Sequence, residues 1–279
     1  MIREPRPELR PFVRRFWVTT TASAGAALPA ARLLSRHVSL EHSLPTGHMH
    51  LVVRLSEEPV RLFDQSPDLL PRAFGHAVVG GVRSSFYVKE MPATVTSVGV
   101  EFHPAACNAL LGVAAADLAG RHATLSDLWT PSIVEALRDR LSSTIDPATR
   151  IDILEGAIAE RLPRVHGVHP VVALALDRFR TLARVDVVVK ESGYSHRTLS
   201  DRFRRTMGLA PKAYLRLLRM RRLMERIGTA SWADLAVEAG FSDQAHFVRE
   251  FRTFTGVTPT TFLQAGCRDG HHFRILQDG

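Results

Sequence analysis

Two short stretches of this chain carry the side chains best suited to chemistry, and that chemistry is hydrogen bonding to the edges of base pairs. Wound as helices, one presents His196, Arg197, Ser200, Asp201, Arg204 and Arg205 on a polar face, and the other presents Gln244, Ala245, His246, Val248, Arg249 and Arg252. Arginine pairs with guanine O6 and N7, glutamine with adenine N6 and N7, and a carboxylate such as Asp201 accepts from cytosine N4; each good pair discriminates by about 1–3 kcal/mol. His246 suits either buttressing a turn or contacting a phosphate. The apolar pairs Leu199/Phe203 and Phe247/Phe251 stand four residues apart and pin each helix to a core.

The two stretches belong to one duplicated pattern. The first copy reads Gly193-Tyr194-Ser195, Leu199, Phe203, Gly208, Pro211, and the second reads Gly240-Phe241-Ser242, Phe247, Phe251, Gly256, Pro259. The last four landmarks recur at an interval of 48 and the opening glycines at 47, so the second copy holds one extra residue after its turn. A short helix, a glycine that permits a left-handed turn, a capping residue and a second helix make a helix-turn-helix.

The elements that position these faces follow from local signals. Helices are expected over Val171–Leu182, Asp186–Glu191, Ser195–Arg205, Pro211–Ile227, Ala233–Glu238, from Ser242 or Asp243 through Phe254, and over Pro259–Leu263. Val187-Val188-Val189 alone favours a strand, but its place in the duplicated pattern assigns it to a helix. The long Pro211–Ile227 helix turns Leu217, Met220, Met224 and Ile227 to one side, and Ser231 with Asp234 forms a capping box.

Residues 170 to 266 resemble the DNA-binding domain of the AraC/XylS family of bacterial transcription regulators. The resemblance rests on Gly193-Tyr194-Ser195, Leu199-Ser200, Phe203, Gly208, Pro211, Ala236, Gly240-Phe241-Ser242-Asp243-Gln244, His246-Phe247, Arg249, Phe251, Gly256 and Thr258-Pro259. It implies two helix-turn-helix units joined by a long helix and reading adjacent major-groove segments. It also implies double-stranded DNA as partner, with RNA polymerase, a homodimer and a small-molecule effector as further partners. Asp201 stands where the family commonly has a basic residue, and Val189 where it has a small one. The second reading helix is therefore expected to supply more of the affinity.

Charge agrees with a polyanion partner. From residue 170 onward there are 18 basic and 11 acidic side chains, a net of +7, against +1 for residues 1–169. The chain lacks any run of about 18 apolar residues and any secretory h-region, and its two cysteines, Cys107 and Cys267, form no CxxC pair; a cytoplasmic, reduced protein with no membrane partner is expected.

Residues 1–102 read mainly as strands, among them Met49–Leu55 and Val95–Phe102, with a loop over 21–31. Helices follow from Pro104 to Leu111, over Pro131–Ser142 with Ile133, Leu137 and Leu141 at helical spacing, and from an Asp146 cap with Ile151, Leu154, Ile158 and Leu162 inward. The fold class is therefore α+β: a β-rich, barrel-like (cupin-like) domain with closing helices over 1–162, a linker over 163–170, and an all-α double helix-turn-helix domain over 171–268. Segments 97–113 and 125–129 are similar to an uncharacterised N-terminal class of the same family, which implies effector binding or dimerisation, the latter through this part or the helices at 131–162.

A rival reading starts from His48-Met49-His50, an HxH as in metal-binding cupins, with His37, His42, His76 and His103 as further ligands; a metal sensor or enzyme with an accessory DNA-binding module would follow. Arg54 stands where a Glu would help such a site. No Ser/His/Asp order, Gly-rich phosphate loop or HExxH is present, so no catalytic residue, metal or cofactor is assigned.

Overall fold

The computed structural model describes residues 1–21, 39–63, 70–162, 167–265 and 272–274. Two antiparallel sheets dominate the first part. One has the order β1 (Ile2–Arg3), β2 (Val13–Thr21), β9 (Val95–Phe102), β4 (Met49–Arg54), β7 (Ala77–Gly80), β10 (His122–Thr124). The other has the order β11 (His272–Arg274), β3 (Ser39–Ser43), β8 (Tyr87–Met91), β5 (Arg61–Phe63), β6 (Arg72–Ala73).

Strand alternation decides what each face meets. Along β4, Met49, Leu51 and Val53 enter a core shared with the helices, while His48, His50, Val52 and Arg54 line a cavity between the sheets. In β9, Val98, Val100 and Phe102 join that core, whereas Val95, Ser97 and Glu101 face the cavity. The five-stranded sheet behaves likewise: Glu41, Ser43, Tyr87 and Lys89 face the cavity, while Val88 and Phe63 turn outward into a core with the C-terminal helices.

Three helices cover the six-stranded sheet: α1 (Cys107–Leu111), α2 (Pro131–Ser142) and α3 (Pro147–Ala159). Asp146 caps α3 by accepting from the Thr149 N–H at 2.8 Å. Buried Glu155 of α3 accepts from the Arg6 backbone N–H and from Arg3, which holds the helix to the start of the chain. In α2 the inward residues are Val134, Leu137 and Leu141; Ile133 is 43% exposed, one position off the buried stripe. The 21–31 loop beyond Thr21, most of the linker start (163–166), His37 and Cys267 lie outside the described residues.

The C-terminal helices are α4 (Pro170–Phe179), α5 (Val185–Ser192), α6 (His196–Met207), α7 (Pro211–Glu225), α8 (Trp232–Glu238), α9 (Gln244–Thr255) and α10 (Pro259–Ala265). The β-branched 187–189 run is helical, with Val188 buried, so the tertiary slot overrides local propensity. Helix α4 stops three residues earlier than its apolar pattern, because Leu182 takes a left-handed φ of 59°. Helix α7 ends at Glu225 rather than Ile227, closing on Arg226 at φ −106°. No described helix is long and apolar enough to cross a membrane. Strand β11 has no counterpart in the sequence reading, which ends the helical domain at 268; it pairs antiparallel with β3.

Candidate nucleic-acid interface

Each copy of the duplicated pattern is a helix pair with a glycine turn. Gly193 (φ 70°) ends α5 and Gly240 (φ 74°) follows α8; neither has a heavy atom near a built Cβ, so backbone conformation alone demands glycine. Ser195 caps α6 by accepting from the Thr198 N–H at 3.1 Å, and Asp243 caps α9 by accepting from the His246 N–H at 2.7 Å. The caps are 48 apart, so Ser242 is the extra residue of the second turn. Its hydroxyl donates to Asp243. These contacts, the His246 N–H first, hold the Asp243 carboxyl below the usual carboxylate range. That keeps a negative charge at the positive end of α9.

The inner stripes are buried: Leu199, Phe203 and Met207 on α6; Phe247, Phe251 and Phe254 on α9. Phe203 meets Phe179 and Tyr214 edge-on, and Phe251 meets Trp232 and Phe262 edge-on. Arg226 pairs with Glu238 and Arg216 with Glu250 at 3.3 Å, fastening α7 to α8 and α9.

The outer faces are open. His196, Arg197, Asp201, Arg204 and Arg205 are exposed on α6, with Ser200 half-buried beside them. Gln244, Ala245, Arg249 and Arg252 are exposed on α9. His246 is half-buried, with its ring against Phe241 and its Nδ1 beside the Ser242 hydroxyl, the geometry of a turn buttress. Val248 leaves the open face and packs partly into the core.

Asp201 sits 3.8 Å from Arg197, one turn away, with both side chains largely exposed. It engages one of the cations beside it, and if α6 docks on duplex DNA it sets a like charge near the phosphates. Asp201→Asn is expected to tighten binding to duplex DNA several-fold at low salt, on the scale of one phosphate contact. Titration of a labelled duplex against both proteins checks this, and equal affinities would show that Asp201 faces no phosphate.

His48 and His50 point into the cavity between the sheets but toward different neighbours. The His48 ring lies 3.4 Å from Glu101, 3.0 Å from the Thr46 carbonyl and near His103. The His50 ring packs under Gly80 and beside Tyr87 and His122. Burial, the larger cause in both, pushes the His48 imidazole down to about 3 and the His50 imidazole down to about 4. His42 turns away from the cavity, and His76 bonds the Glu57 carbonyl. Among the described residues no three His, Cys, Asp or Glu side chains converge as a metal site. Cys107 is buried, and burial pushes its thiol up to about 12, so it is no ready nucleophile.

The sequence reading missed the cavity's charged lining. Arg15, Arg54, Arg83 and Lys89 lie there with Glu41 and Glu101. The usable signal was the alternation His48, His50, Val52, Arg54 opposite Met49, Leu51, Val53.

The two helix pairs are helix-turn-helix units on a basic helical domain, the class of module that docks on duplex DNA. Residues 188–265 match the model of a helix-turn-helix domain family, and residues 2–124 match a domain of unknown function (DUF6597). The HTH-type transcriptional activator RhaS of Escherichia coli strain SE11 is 36% identical over 97 residues, and so is that of strain K12/DH10B; each match covers 34% of this chain and 34% of the relative. The matched segment thus spans about a third of the length of these curated relatives. Among solved structures, an apo form of ToxT from Vibrio cholerae strain SCE256 aligns over 94% of this chain and 99% of its own, with TM-score 0.46 and 11% identity. A P21-form structure of ToxT from Vibrio cholerae has TM-score 0.42 and 9% identity, covering 89% of this chain and 96% of its own. Over its C-terminal part the chain thus carries a helix-turn-helix domain similar to that of a known transcriptional activator, in line with the resemblance to the AraC/XylS family.

Proposed function

We propose that α6 and α9 enter adjacent major-groove segments on one face of duplex DNA, and that a small molecule held between the two sheets controls the protein. On this reading residues 1–162 form the sensing domain, 163–170 the linker and 171–268 the DNA-reading domain. One observation carries the DNA assignment: the outer faces of two repeat-related helices are open and basic while their inner faces are sealed in aromatic cores. His196, Arg197, Ser200, Asp201, Arg204 and Arg205 read the first segment, and Gln244, Ala245, Arg249 and Arg252 the second, with His246 holding the turn.

Ligand control rests on a cavity of about 950 Å³ whose lining combines Val52, Val60, Leu62 and Val78 with Arg54 and Arg83. That volume suits a drug-sized molecule. The lining suits one with an apolar body and a polar end.

The test is selection of bound sequences from random duplexes with the parent and with Arg249→Ala. The parent is expected to enrich two boxes about one helical turn apart. Arg249→Ala is expected to lose about 1–3 kcal/mol and to relax the preference at one base pair of one box. An unchanged box in the variant would remove Arg249 from base readout.

A further inference from the structure

The two reading helices end on glycines one repeat apart, and both glycines are pressed against the β-rich part of the molecule. A Cβ built on Gly208 would lie 2.3 Å from Val82 Cγ1 and 3.0 Å from the Ala115 carbonyl oxygen. A Cβ built on Gly256 would lie 2.5 Å from the His42 ring and 2.7 Å from that of Phe86. Left-handed backbone at a helix end already explains a glycine. It does not explain why two unrelated walls close on the same position of two repeats.

The second wall is bonded as well as packed. His42 Nδ1 lies 2.8 Å from the Thr255 carbonyl oxygen, which only accepts, so Nδ1 carries the proton. His42 also stacks on Phe86 with ring centroids 4.5 Å apart.

The walls come from different sheets. Val82 follows β7 of the six-stranded sheet, while His42 lies in β3 and Phe86 immediately precedes β8 of the five-stranded sheet. Their chain neighbours face the cavity: Gly81 and Arg83 beside Val82, Glu41 and Ser43 beside His42, Tyr87 beside Phe86. In β3 this is strand alternation, with the cavity on one face and the helix end on the other. Neither wall covers a reading face. Arg204 and Arg252, one turn before the two glycines, are exposed. The contacts therefore position the helices without hiding them.

We propose that Val82 on one sheet, and His42 with Phe86 on the other, are positioning residues that fix the separation of the two reading helices and so the spacing between DNA boxes that the protein accepts. This rests on the reading above that α6 and α9 dock on adjacent segments. The competing account is that α7, 15 residues and about 22 Å long at 1.5 Å per residue, sets the separation alone.

The experiment uses the full chain and the two-box site obtained by selection. Affinity is measured for spacers from two base pairs shorter to two longer, and for a single box. The parent is expected to lose about tenfold per base pair away from its optimum, whereas Val82→Ala, His42→Ala and the milder His42→Gln lose about threefold or less and keep single-box affinity within about twofold. Thermal melting by circular dichroism identifies which variants remain folded. A sharp parental profile kept by the folded variants would overturn this proposal and leave the DNA reading intact, with α7 as the spacer. A parent indifferent to spacing would also overturn it. A parent that enriches no sequence would bring down the DNA reading itself.

Discussion

Phe251→Ala is expected to destabilise the protein by about 3–5 kcal/mol and to abolish specific DNA binding at physiological temperature. The side chain is fully buried, with Trp232, Phe247 and Phe262 around its ring at centroid distances of 5.3–5.7 Å. A loss of that size is comparable to the whole stability of many domains. The damage should reach beyond the second helix-turn-helix, because Phe251 shares one core with Leu44, Phe63, Phe86 and Val88 of the β-rich part. Chemical denaturation followed by both far-ultraviolet circular dichroism and tryptophan fluorescence measures it. A cost under about 1 kcal/mol would mean that this core collapses around the void without penalty.

Acidification is the second large effect. His48 and His50 are held neutral by burial, with folded values of about 3 and about 4, and His122 is held well below the usual imidazole value for the same first cause. Arg83 near His50 and His122, and Arg14 near His48, further oppose protonation, whereas Glu101 favours it at His48 and His50. In the unfolded chain these imidazoles titrate near 6.5. Between about pH 6.5 and 4 the unfolded state thus binds more protons, so stability rises with pH across that window. The contribution is present in full above 6.5 and is lost as pH falls toward 4 for His50 and toward 3 for His48. For His50 alone it is on the order of 3 kcal/mol. Urea midpoints at pH 7, 5 and 4 should fall steeply in the parent. In His50→Gln the slope should be shallower by about one proton, and an unaltered slope would show that His50 is not the titrating group.

The parts of this molecule visible in its sequence are those governed by local rules. The two turns are legible because left-handed glycines, capping side chains and i,i+4 apolar pairs act within a dozen residues. The helix at 185–192 is legible only through the repeat, since its three valines argue for a strand by themselves. Ile133 shows the limit of periodicity. Positions 133 and 134 are adjacent on a helical wheel, and only the docking of α2 onto the sheet selects Val134 as the buried one. The walls against Gly208 and Gly256 are invisible because they join residues more than 90 positions apart, for which no short pattern exists. Likewise Glu101 reads in sequence as the end of a strand, and the register that sets it opposite His50 belongs to sheet pairing. Arg54 reads in sequence only as a missing metal ligand, yet it is a buried cation in the cavity wall.

Strand β11 changes what a deletion would do. It pairs with β3 across more than 200 residues of chain, and the whole helical part lies between them. Topologically, helices α4 to α10 are an insertion within a sheet rather than an appendage after one. A version shortened at residue 268 would keep helices α4 to α10 yet strip the partner from β3, leaving its backbone donors and acceptors open at the margin of the sheet. Exposed margins of that kind template self-association. Such a fragment should oligomerise through its β-rich half, and a tag fused after β11 would perturb that half before it perturbed the helices.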